Sequence, residues 1–201
     1  MKIKAYVFDL GGVVLTHKKE VTLKILAKIF NKDLQEISNF YKTLEDDWVT
    51  GKIKDKEVVY RFKTRFSSNQ SIDEILNTWE KHYEKITKVN KEVLQLVDDL
   101  RTQGYKVYLL SDTTDLHHRL NLKRDLFDHF DQVFASFIEG KRKTKTDFFE
   151  HFLEQTGLEP IECFFIDDRK ENLKIARQVG MHSILFKNYQ DLSNTLKRYL
   201  N

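Results

Sequence analysis

Polar side chains that could bind a phosphate group or a metal ion follow several apolar runs typical of buried strands. Asp9 follows the run IKAYVF, and Ser111 follows YKVYLL. Asp167 and Asp168 follow CFFI. Lys143 lies in the polar segment EGKRKTKTD, between the third and the fourth predicted strands. The carboxyl ends of parallel strands meet at one edge of a sheet, which is where open α/β sheets bind ligands. The sequence therefore predicts that these five side chains share one site.

The residue types at this predicted site indicate a particular chemistry. Three carboxylates repel one another unless a cation offsets their charge, and Mg²⁺ is commonly held by a few carboxylates together with phosphate oxygens. The Ser111 hydroxyl and the Lys143 ammonium group could donate hydrogen bonds to the remaining phosphate oxygens. A carboxylate held against such a phosphoryl group can attack it and form an aspartyl-phosphate. The pattern therefore favours magnesium-dependent phosphoryl chemistry.

Two glycines, Gly11 and Gly12, come directly after the Asp9–Leu10 pair. Because glycine has no Cβ, backbone N–H and C=O groups at these positions can approach a phosphate group or a metal ion closely. The glycines therefore predict a tight turn that brings main-chain groups into the site.

The remaining sequence divides into two patterns. Residues 16–87 contain apolar residues at helical spacing and no convincing strand, which predicts a helical insertion. After it, predicted strands alternate with helices, as expected for a parallel sheet covered on both faces. The helix over 90–104 is predicted to begin at an Asn90 cap and to end at Gly104. The strands are predicted at residues 3–8, 105–110, 132–136, 163–166 and 182–186, and further helices at 114–122, 147–157, 171–180 and 189–200.

The composition narrows the class of protein. A hydrophobic fraction of 40% over 201 residues supplies a core for one domain or for one domain with an insertion. A net charge of +3 does not indicate a nucleic-acid partner, and no run of about 18 apolar residues could span a membrane. The single cysteine, Cys163, excludes an intramolecular disulfide. We expect a cytoplasmic protein, monomeric or homodimeric, with no nucleic-acid or membrane partner.

Four motifs resemble those of the haloacid dehalogenase (HAD) superfamily, in the branch that has a small helical cap after the first motif. VFDLGGVV is similar to the first motif and VYLLSD to the second. GKRK is similar to a G-x-x-K form of the third, and FIDDRKENLKIARQVGM to the fourth in its Asp-Asp form. The fourth motif also resembles that of bacterial sugar-phosphate phosphatases and of the N-terminal phosphatase domain of soluble epoxide hydrolase. The resemblance covers essentially the whole chain.

The resemblance implies a fold and a substrate class. The implied fold is α/β, with a Rossmann-like three-layer core and a parallel sheet formed by residues 1–15 and 88–201. Residues 16–87 would form an inserted helical-bundle cap. The implied substrate is a small phosphorylated metabolite, such as a sugar phosphate or a nucleotide.

The resemblance also implies roles for the residues at the strand ends. Asp9 would be the nucleophile, and Ser111 and Lys143 would bind the phosphoryl group as the other catalytic residues. Mg²⁺ would be the cofactor. The predicted metal ligands are Asp9, the Gly11 carbonyl, Asp167 and Asp168. The predicted substrate-binding residues are Gly12, Ser111, Asp112 and Lys143.

Three positions depart from the family's pattern. Gly11 stands where the family commonly has a second aspartate that acts as general acid and base, a function worth roughly 10²–10⁴ in rate. Asp112 stands where an asparagine usually follows the serine, and it adds a negative charge beside the phosphate site. The third motif reads KTK rather than the usual Lys-Pro-Asp, so Lys141 and Lys145 stay open as alternatives to Lys143.

Other reactive side chains are interpreted as structural. His17 follows the glycine turn and could replace the missing acid–base group, although an exposed position is favoured. His117 and His118 are also predicted to be exposed, and Cys163 is predicted to be a packed thiol. The basic run KRKTK is predicted to be a solvated patch and not a nucleic-acid contact.

Three functions are compatible with these observations. The leading one is a magnesium-dependent phosphatase that hydrolyses a small phosphomonoester through an aspartyl-phosphate. The second is a phosphate-binding regulatory protein with weak turnover, because Gly11 replaces the acid–base aspartate. The third is a 2-haloacid dehalogenase, which uses the same nucleophile without a metal. The adjacent Asp167 and Asp168 disfavour the third, because a metal-free site gains nothing from paired carboxylates.

Overall fold

The central sheet has five parallel strands in the order β3-β2-β1-β4-β5. A computed structural model describes residues 3–16 and 19–197, so His17 lies outside the described residues. The strands are β1 (Ala5–Phe8), β2 (Lys106–Ser111), β3 (Gln132–Ala135), β4 (Cys163–Asp167) and β5 (His182–Leu185). All five predicted strands are therefore present, with bounds that differ by one or two residues at their ends.

Helices occupy most of the remaining chain. Four helices lie between β1 and β2 before the helix that leads into β2: α1 (Lys19–Phe30), α2 (Leu34–Val49), α3 (Asp55–Arg65) and α4 (Ile72–Ile86). The others are α5 (Lys91–Thr102), α6 (Asp115–Leu122), α7 (Ser136–Glu139), α8 (Thr146–Thr156), α9 (Lys170–Gln178) and α10 (Tyr189–Leu196). The short helix α7 and two 3₁₀ turns, Leu126–His129 and Pro160–Glu162, were not predicted.

The strands form a sheet that is covered on both faces. All four residues of β1 are buried, and they alternate between two apolar clusters. Tyr6 and Phe8 face one cluster, and Ala5 and Val7 face the other. Successive side chains of a strand point to opposite faces, so a strand that is apolar at every position indicates burial on both sides. Cys163, at the start of β4, is fully buried, as predicted.

Local capping explains several helix boundaries. The Asn90 side chain accepts a hydrogen bond from the Val93 N–H at 3.3 Å, and Gly104 has a φ of +88° just past the end of α5. Both features match the prediction for this helix. Ser71 and Glu74 form a capping box at the start of α4. No helix in the described ranges is both long enough and apolar enough to cross a membrane.

The helical insertion, defined here as α1–α4, has its own apolar cluster. Trp48, Phe62 and Trp79 are among its buried side chains. Leu116 and Leu120 of α6 belong to the same cluster, so α6 connects the insertion to the sheet. Helix α6 follows directly from the loop after β2, and this packing places the insertion over the carboxyl edge of the sheet.

The strand register brings the predicted site residues to one edge. Phe8 pairs with Leu109 of β2 and with Ile166 of β4. The residue after Phe8 is Asp9, whose N–H donates to the Ile166 carbonyl at 2.8 Å. Because β1 is the central strand, Asp9 lies between the ends of β2 and β4. The topology therefore places Asp9 beside both predicted partner strands.

Candidate active site

A buried lysine lies between two of the predicted carboxylates. The Lys143 side chain is 2% exposed, and its Nζ donates to Oδ1 of Asp9 and to Oδ2 of Asp167, the latter at 2.8 Å. Lys141 is only partly buried and Lys145 is exposed. The structure therefore brings Lys143, of the three lysines that the sequence left open, to the carboxylates.

The carboxylates of Asp9, Asp167 and Asp168 form one cluster, called the carboxylate cluster below. One oxygen from each lies within 4.8 Å of the others. Asp167 is held in place by the Arg169 N–H at 2.8 Å and by the side-chain amide of Asn172 at 2.9 Å. These contacts fix the buried carboxylate that forms the floor of the cluster.

The composition of the cluster fits a divalent cation with oxygen ligands. Three carboxylates and the Lys143 ammonium group leave a formal excess of two negative charges. The Oδ1 of Asn172, which also lines the cavity, is buried and has no hydrogen-bond partner within the described part of the chain. A buried acceptor of this kind is normally satisfied, and water bound to a cation could satisfy it. Mg²⁺ would match both the charge and the oxygen ligands.

Burial shifts the pKa values of the central pair. Burial raises the pKa of Asp9 to about 8, the charge of Lys143 opposes this shift, and Asp167 and Asp168 reinforce it. For Lys143, burial lowers the pKa, but the charges of Asp167, Asp9 and Asp112 outweigh burial and hold the pKa above its usual range. Lys143 therefore keeps its positive charge. A further cation at the site would favour the ionised form of Asp9, whose pKa is raised.

The absence of a side chain at Gly12 leaves space for Asp168. Its φ is +92°, and a Cβ built on it would lie 2.3 Å from Oδ2 of Asp168. The Gly12 N–H donates to the Leu15 carbonyl at 2.7 Å, so it is not available to a phosphate group in this arrangement. The close approach that the structure shows at the glycine turn is made to Asp168. Gly11 lines the cavity and forms an isolated bridge with Leu15.

The loop after β2 supplies a wall of the cavity. Ser111 ends β2 and is buried, and the next three residues, Asp112, Thr113 and Thr114, line the cavity. The Thr114 side chain also caps α6, because it accepts a hydrogen bond from the His117 N–H at 3.4 Å. Neither threonine was predicted as a site residue. The pair of threonines before a helical pattern is a capping signal that could have identified them.

Asp112 positions two basic residues. Its Oδ1 accepts a hydrogen bond from the Lys143 N–H at 3.0 Å, and its Oδ2 lies 3.5 Å from Nε of Arg142. The negative charge that the sequence placed beside a phosphate site is therefore paired with the Arg142 cation of the third motif. The interpretation of KRKTK as a solvated patch was wrong for Arg142 and Lys143, because both are enclosed by carboxylates.

A cavity of about 320 Å³ lies between the carboxyl edge of the sheet and the helical insertion. The carboxylate cluster contributes Asp9 and Asp168 to its floor. The insertion contributes a mixed set of polar and apolar side chains: Lys19, Glu20, Thr22, Tyr41, Glu45 and Val49. The insertion therefore forms part of the cavity wall.

The prediction that His117 and His118 are exposed was wrong. His117 is buried, lines the cavity and stacks on Tyr83 of α4 with ring centroids 4.5 Å apart. His118 is partly buried and stacks on Phe127 at 4.7 Å. Helix α6 is covered by the insertion on one side and by the residues before β3 on the other. A helix covered on two sides buries neighbouring residues that a one-sided helix would expose.

A second contact that the sequence did not reveal joins the insertion to the loop after β2. The buried hydroxyl of Ser136 donates to the Val49 carbonyl at 2.6 Å and accepts a hydrogen bond from the Thr113 N–H at 2.9 Å. Next to it, a Cβ on Gly51 would lie 2.2 Å from the Phe137 carbonyl oxygen. These contacts hold the end of α2 against the rim of the cavity.

Comparison with known proteins gives a consistent result. A family model described as haloacid dehalogenase-like hydrolase matches residues 3–180. A sesquiterpene phosphatase from Aspergillus oryzae is 30% identical over 184 residues, which cover 89% of this chain and 87% of that protein. A D-ribitol-5-phosphate phosphatase from Bacteroides thetaiotaomicron is 23% identical over 99% of both chains.

Solved structures agree with the fold. A HAD family enzyme from Bacteroides thetaiotaomicron, solved with magnesium and inorganic phosphate, has a TM-score of 0.79 and 26% identity over 94% of this chain and 98% of its own. A predicted HAD-like family hydrolase from Porphyromonas gingivalis has a TM-score of 0.83 and 25% identity over 100% of this chain and 99% of its own. The predicted fold class, an α/β core with a parallel sheet, is confirmed.

Proposed function

Because the chain belongs to the haloacid dehalogenase-like hydrolase family and is a hydrolase, we propose that it is a magnesium-dependent phosphatase acting on a small phosphomonoester. The observation that carries this proposal is the contact of the buried Lys143 with the buried Asp9 and Asp167, beside the partly buried Asp168. A nucleophilic carboxylate, a fixed ammonium group and a cation site are the parts that phosphoryl transfer to an aspartate requires.

The proposed reaction has two steps. In the first, a carboxylate oxygen of Asp9 attacks phosphorus, and the bond between phosphorus and the oxygen of the leaving alcohol breaks. In the second, water attacks the aspartyl-phosphate, which releases inorganic phosphate and restores Asp9. Lys143 offsets charge on the phosphoryl oxygens in both steps, and Asp112 holds the Lys143 backbone through its N–H. Ser111 is proposed as a further phosphate ligand.

The proposed metal ligands are Asp9, Asp168 and the Gly11 carbonyl, with Asp167 in contact directly or through water. Mg²⁺ bound there would act as a Lewis acid on the phosphoryl oxygens. The relatives support this choice, since a similar enzyme was solved with magnesium and inorganic phosphate. The paired carboxylates Asp167 and Asp168 continue to disfavour a metal-free dehalogenase.

Proton transfer to the leaving alcohol is the part of the proposed reaction to which no described residue is assigned. Gly11 has no side chain to move a proton to the leaving alcohol, and His17 lies outside the described residues. This observation keeps a phosphate-binding regulatory protein with weak turnover as the alternative function. The two functions differ in turnover number and not in phosphate binding.

Cavity polarity supports a polar metabolite over an apolar one. Relatives include phosphatases named for a sesquiterpene and for D-ribitol 5-phosphate, which differ strongly in polarity. Among the residues that the insertion contributes to the cavity, Lys19, Glu20 and Glu45 are charged and only Val49 is aliphatic. Burying an apolar chain against charged groups gains little, because those groups must give up water. A sugar phosphate or a nucleotide therefore fits better than a terpenyl phosphate.

We also propose the division into a catalytic core of residues 1–15 and 88–201 and a cap of residues 16–87. The apolar cluster of α1–α4 supports it, since most of its buried members lie in the insertion and only Leu116 and Leu120 of α6 come from the core. The substrate is proposed to be the only partner class, with no nucleic acid, and the monomeric or homodimeric state and the cytoplasmic location stay predictions from composition.

The test is hydrolysis of para-nitrophenyl phosphate and a panel of sugar phosphates and nucleotides, with Mg²⁺ and with a chelator. We expect magnesium-dependent release of phosphate and none from the Asp9→Asn variant, because an amide cannot attack phosphorus. Binding of phosphate without turnover on any substrate would favour the regulatory alternative. Release of halide from a 2-haloacid with the chelator present would favour the dehalogenase.

A further inference from the structure

The two cations that the charged wall presents to the cavity are already paired with carboxylates. The charged wall is defined here as Lys19, Glu45, Asp112 and Arg142, all of which line the cavity. Lys19 forms an ion pair with Glu45, and its Nζ lies 5.1 Å from the centre of the Tyr41 ring. Arg142 lies 3.6 Å from Glu45 and 3.5 Å from Asp112.

Glu45 is the carboxylate that both cations share. Its Oε2 faces Lys19 and its Oε1 faces Arg142, and its side chain is only 17% exposed. The charged wall has two positive and two negative groups, and Asp46, 3.1 Å from Arg142, adds a third negative one. Within residues 3–16 and 19–197, the wall therefore offers no cation that lacks a carboxylate partner.

Two further described residues that line the cavity add no net charge to it. Glu20 and Arg169 are both exposed, and their charges are opposite. Exposed charges are also screened by salt over about 10 Å at ordinary ionic strength. The charged wall therefore decides how the cavity responds to a charge on the substrate beyond the phosphoryl group.

We propose that Glu45 is a specificity-determining residue that restricts the site to phosphomonoesters whose leaving group is uncharged. This inference rests on the proposed phosphatase function. A leaving group that carries a carboxylate or a second phosphate must displace Glu45 from a cation or lie beside an excess of carboxylates. A hydroxyl-bearing leaving group can hydrogen-bond to the same carboxylates without breaking an ion pair.

The expected size of the effect follows from Coulomb's law. One unit charge about 8 Å from another, at the effective dielectric constant of about 20 that suits protein sites, changes an equilibrium by up to about thirtyfold, and screening by solvent in the open cavity lowers this to about tenfold. Replacing Glu45 by glutamine keeps the shape of the side chain and removes one negative charge. The variant frees Lys19 from its pairing and lets it meet an anionic leaving group.

The experiment compares two substrates of nearly equal size, para-carbamoylphenyl phosphate and para-carboxyphenyl phosphate, with Mg²⁺. For the wild type we expect kcat/KM to favour the neutral amide by about tenfold. Glu45→Gln should reduce this ratio to about one by raising kcat/KM for para-carboxyphenyl phosphate. The matched control is Glu36→Gln, which removes the same charge from an exposed position on the same helix and should leave the ratio unchanged.

The ratio is measured on a single preparation, so partial misfolding of a variant cancels. Equal kcat/KM for the two substrates in the wild type, or an unchanged ratio in Glu45→Gln, would overturn the inference. A change of equal size in Glu36→Gln would also overturn it, because the effect would then come from overall charge.

A binding measurement separates this inference from the proposed function. Calorimetry on the Asp9→Asn chain with Mg²⁺, with and without Glu45→Gln, gives the affinity ratio of the same two compounds without turnover. A tenfold preference for the amide that Glu45→Gln removes would support the role of Glu45 even if the wild type hydrolysed neither compound. Turnover of both compounds without a charge preference would instead support the phosphatase and contradict the role of Glu45.

Discussion

Gly12 and Asp168 are in direct contact, although one follows the first strand and the other the fourth. A Cβ on residue 12 would lie 2.3 Å from Oδ2 of Asp168, closer than any side chain permits. The glycine therefore makes room for the carboxylate that is proposed to hold Mg²⁺. This contact explains why glycine and not a larger residue stands three positions after Asp9.

Gly12→Ala should impair metal binding beyond its cost in stability. The positive φ of residue 12 would strain alanine by about 1–3 kcal/mol, and the new methyl group would displace Asp168. Gly104→Ala is a matched control, because Gly104 has a φ of +88° and no atom near its Cβ position. Denaturant unfolding should show a loss in both variants, larger in Gly12→Ala because of the clash with Asp168, and calorimetry should show weaker Mg²⁺ binding only in Gly12→Ala. Equal Mg²⁺ affinity in the two variants would mean that Asp168 is not a ligand.

Lys143→Met should destabilise the protein in the absence of metal. The substitution leaves the buried carboxylate of Asp167 without its cation, and breaking a buried ion pair typically costs about 3–5 kcal/mol. Mg²⁺ should recover part of this loss because it supplies positive charge to the same oxygens. Thermal unfolding with and without Mg²⁺ measures both effects. Lys145→Met, at an exposed position, serves as the control and should change neither value.

Magnesium binding should depend on pH through Asp9. Burial raises the pKa of Asp9 to about 8, so without metal this carboxyl group is mostly protonated at neutral pH. Mg²⁺ requires the ionised form, so its affinity should rise as the pH increases from 6 toward about 8 and then level off. Calorimetry in buffers of different ionisation enthalpy should detect proton release on binding at neutral pH. Asp9→Asn should abolish the release, and an unchanged release in that variant would assign it to another group.

The same shift has a consequence for stability without metal. The pKa of Asp9 is higher in the folded state than in the unfolded state, so the folded state binds more protons between about pH 4 and pH 8. Stability should therefore fall as the pH rises through this range. Mg²⁺ should oppose the fall, which denaturant unfolding at several pH values would reveal.

Gly11 should make breakdown of the phospho-enzyme slow. An aryl phosphate has a good leaving group and does not need a proton in the first step. Only the second step, the attack by water, is then slowed by the missing acid–base group. We expect a burst of product about equal to the enzyme concentration, followed by a slow steady rate. Gly11→Asp should speed the steady phase, by up to roughly 10²–10⁴ if the new carboxyl group acts as a full acid–base.

His17 provides the contrasting outcome for this experiment. If the wild type shows no burst and His17→Ala slows turnover by a similar factor, His17 supplies the proton transfer. A burst that is unaffected by His17→Ala would leave the step without an acid–base side chain at either position.

Much of the fold could be predicted because its signals are local. Apolar runs of strand length, helical spacing between them, and capping residues such as Asn90 all depend on neighbours in sequence. These signals located five strands and the polar residues at their ends. The family motifs, whose resemblance the family model confirms, added the proposed roles of those residues.

The choice among three lysines could not be made this way. Lys141, Lys143 and Lys145 lie in one short loop, where no periodicity distinguishes a buried position from an exposed one. The fold decides for Lys143 because only there does the loop meet Asp9 and Asp167, which arrive on two different strands.

By itself, the sequence determined the strand order along the chain, the residue types at the sheet edge and the class of chemistry they allow. Only the tertiary structure decided which charges meet. The pairing of Glu45 with Arg142, the contact of Gly12 with Asp168 and the burial of His117 join segments far apart in the chain. Such contacts depend on how the insertion packs over the sheet. Local patterns of hydrophobicity do not predict that packing, because it is determined by many contacts between residues far apart in the chain.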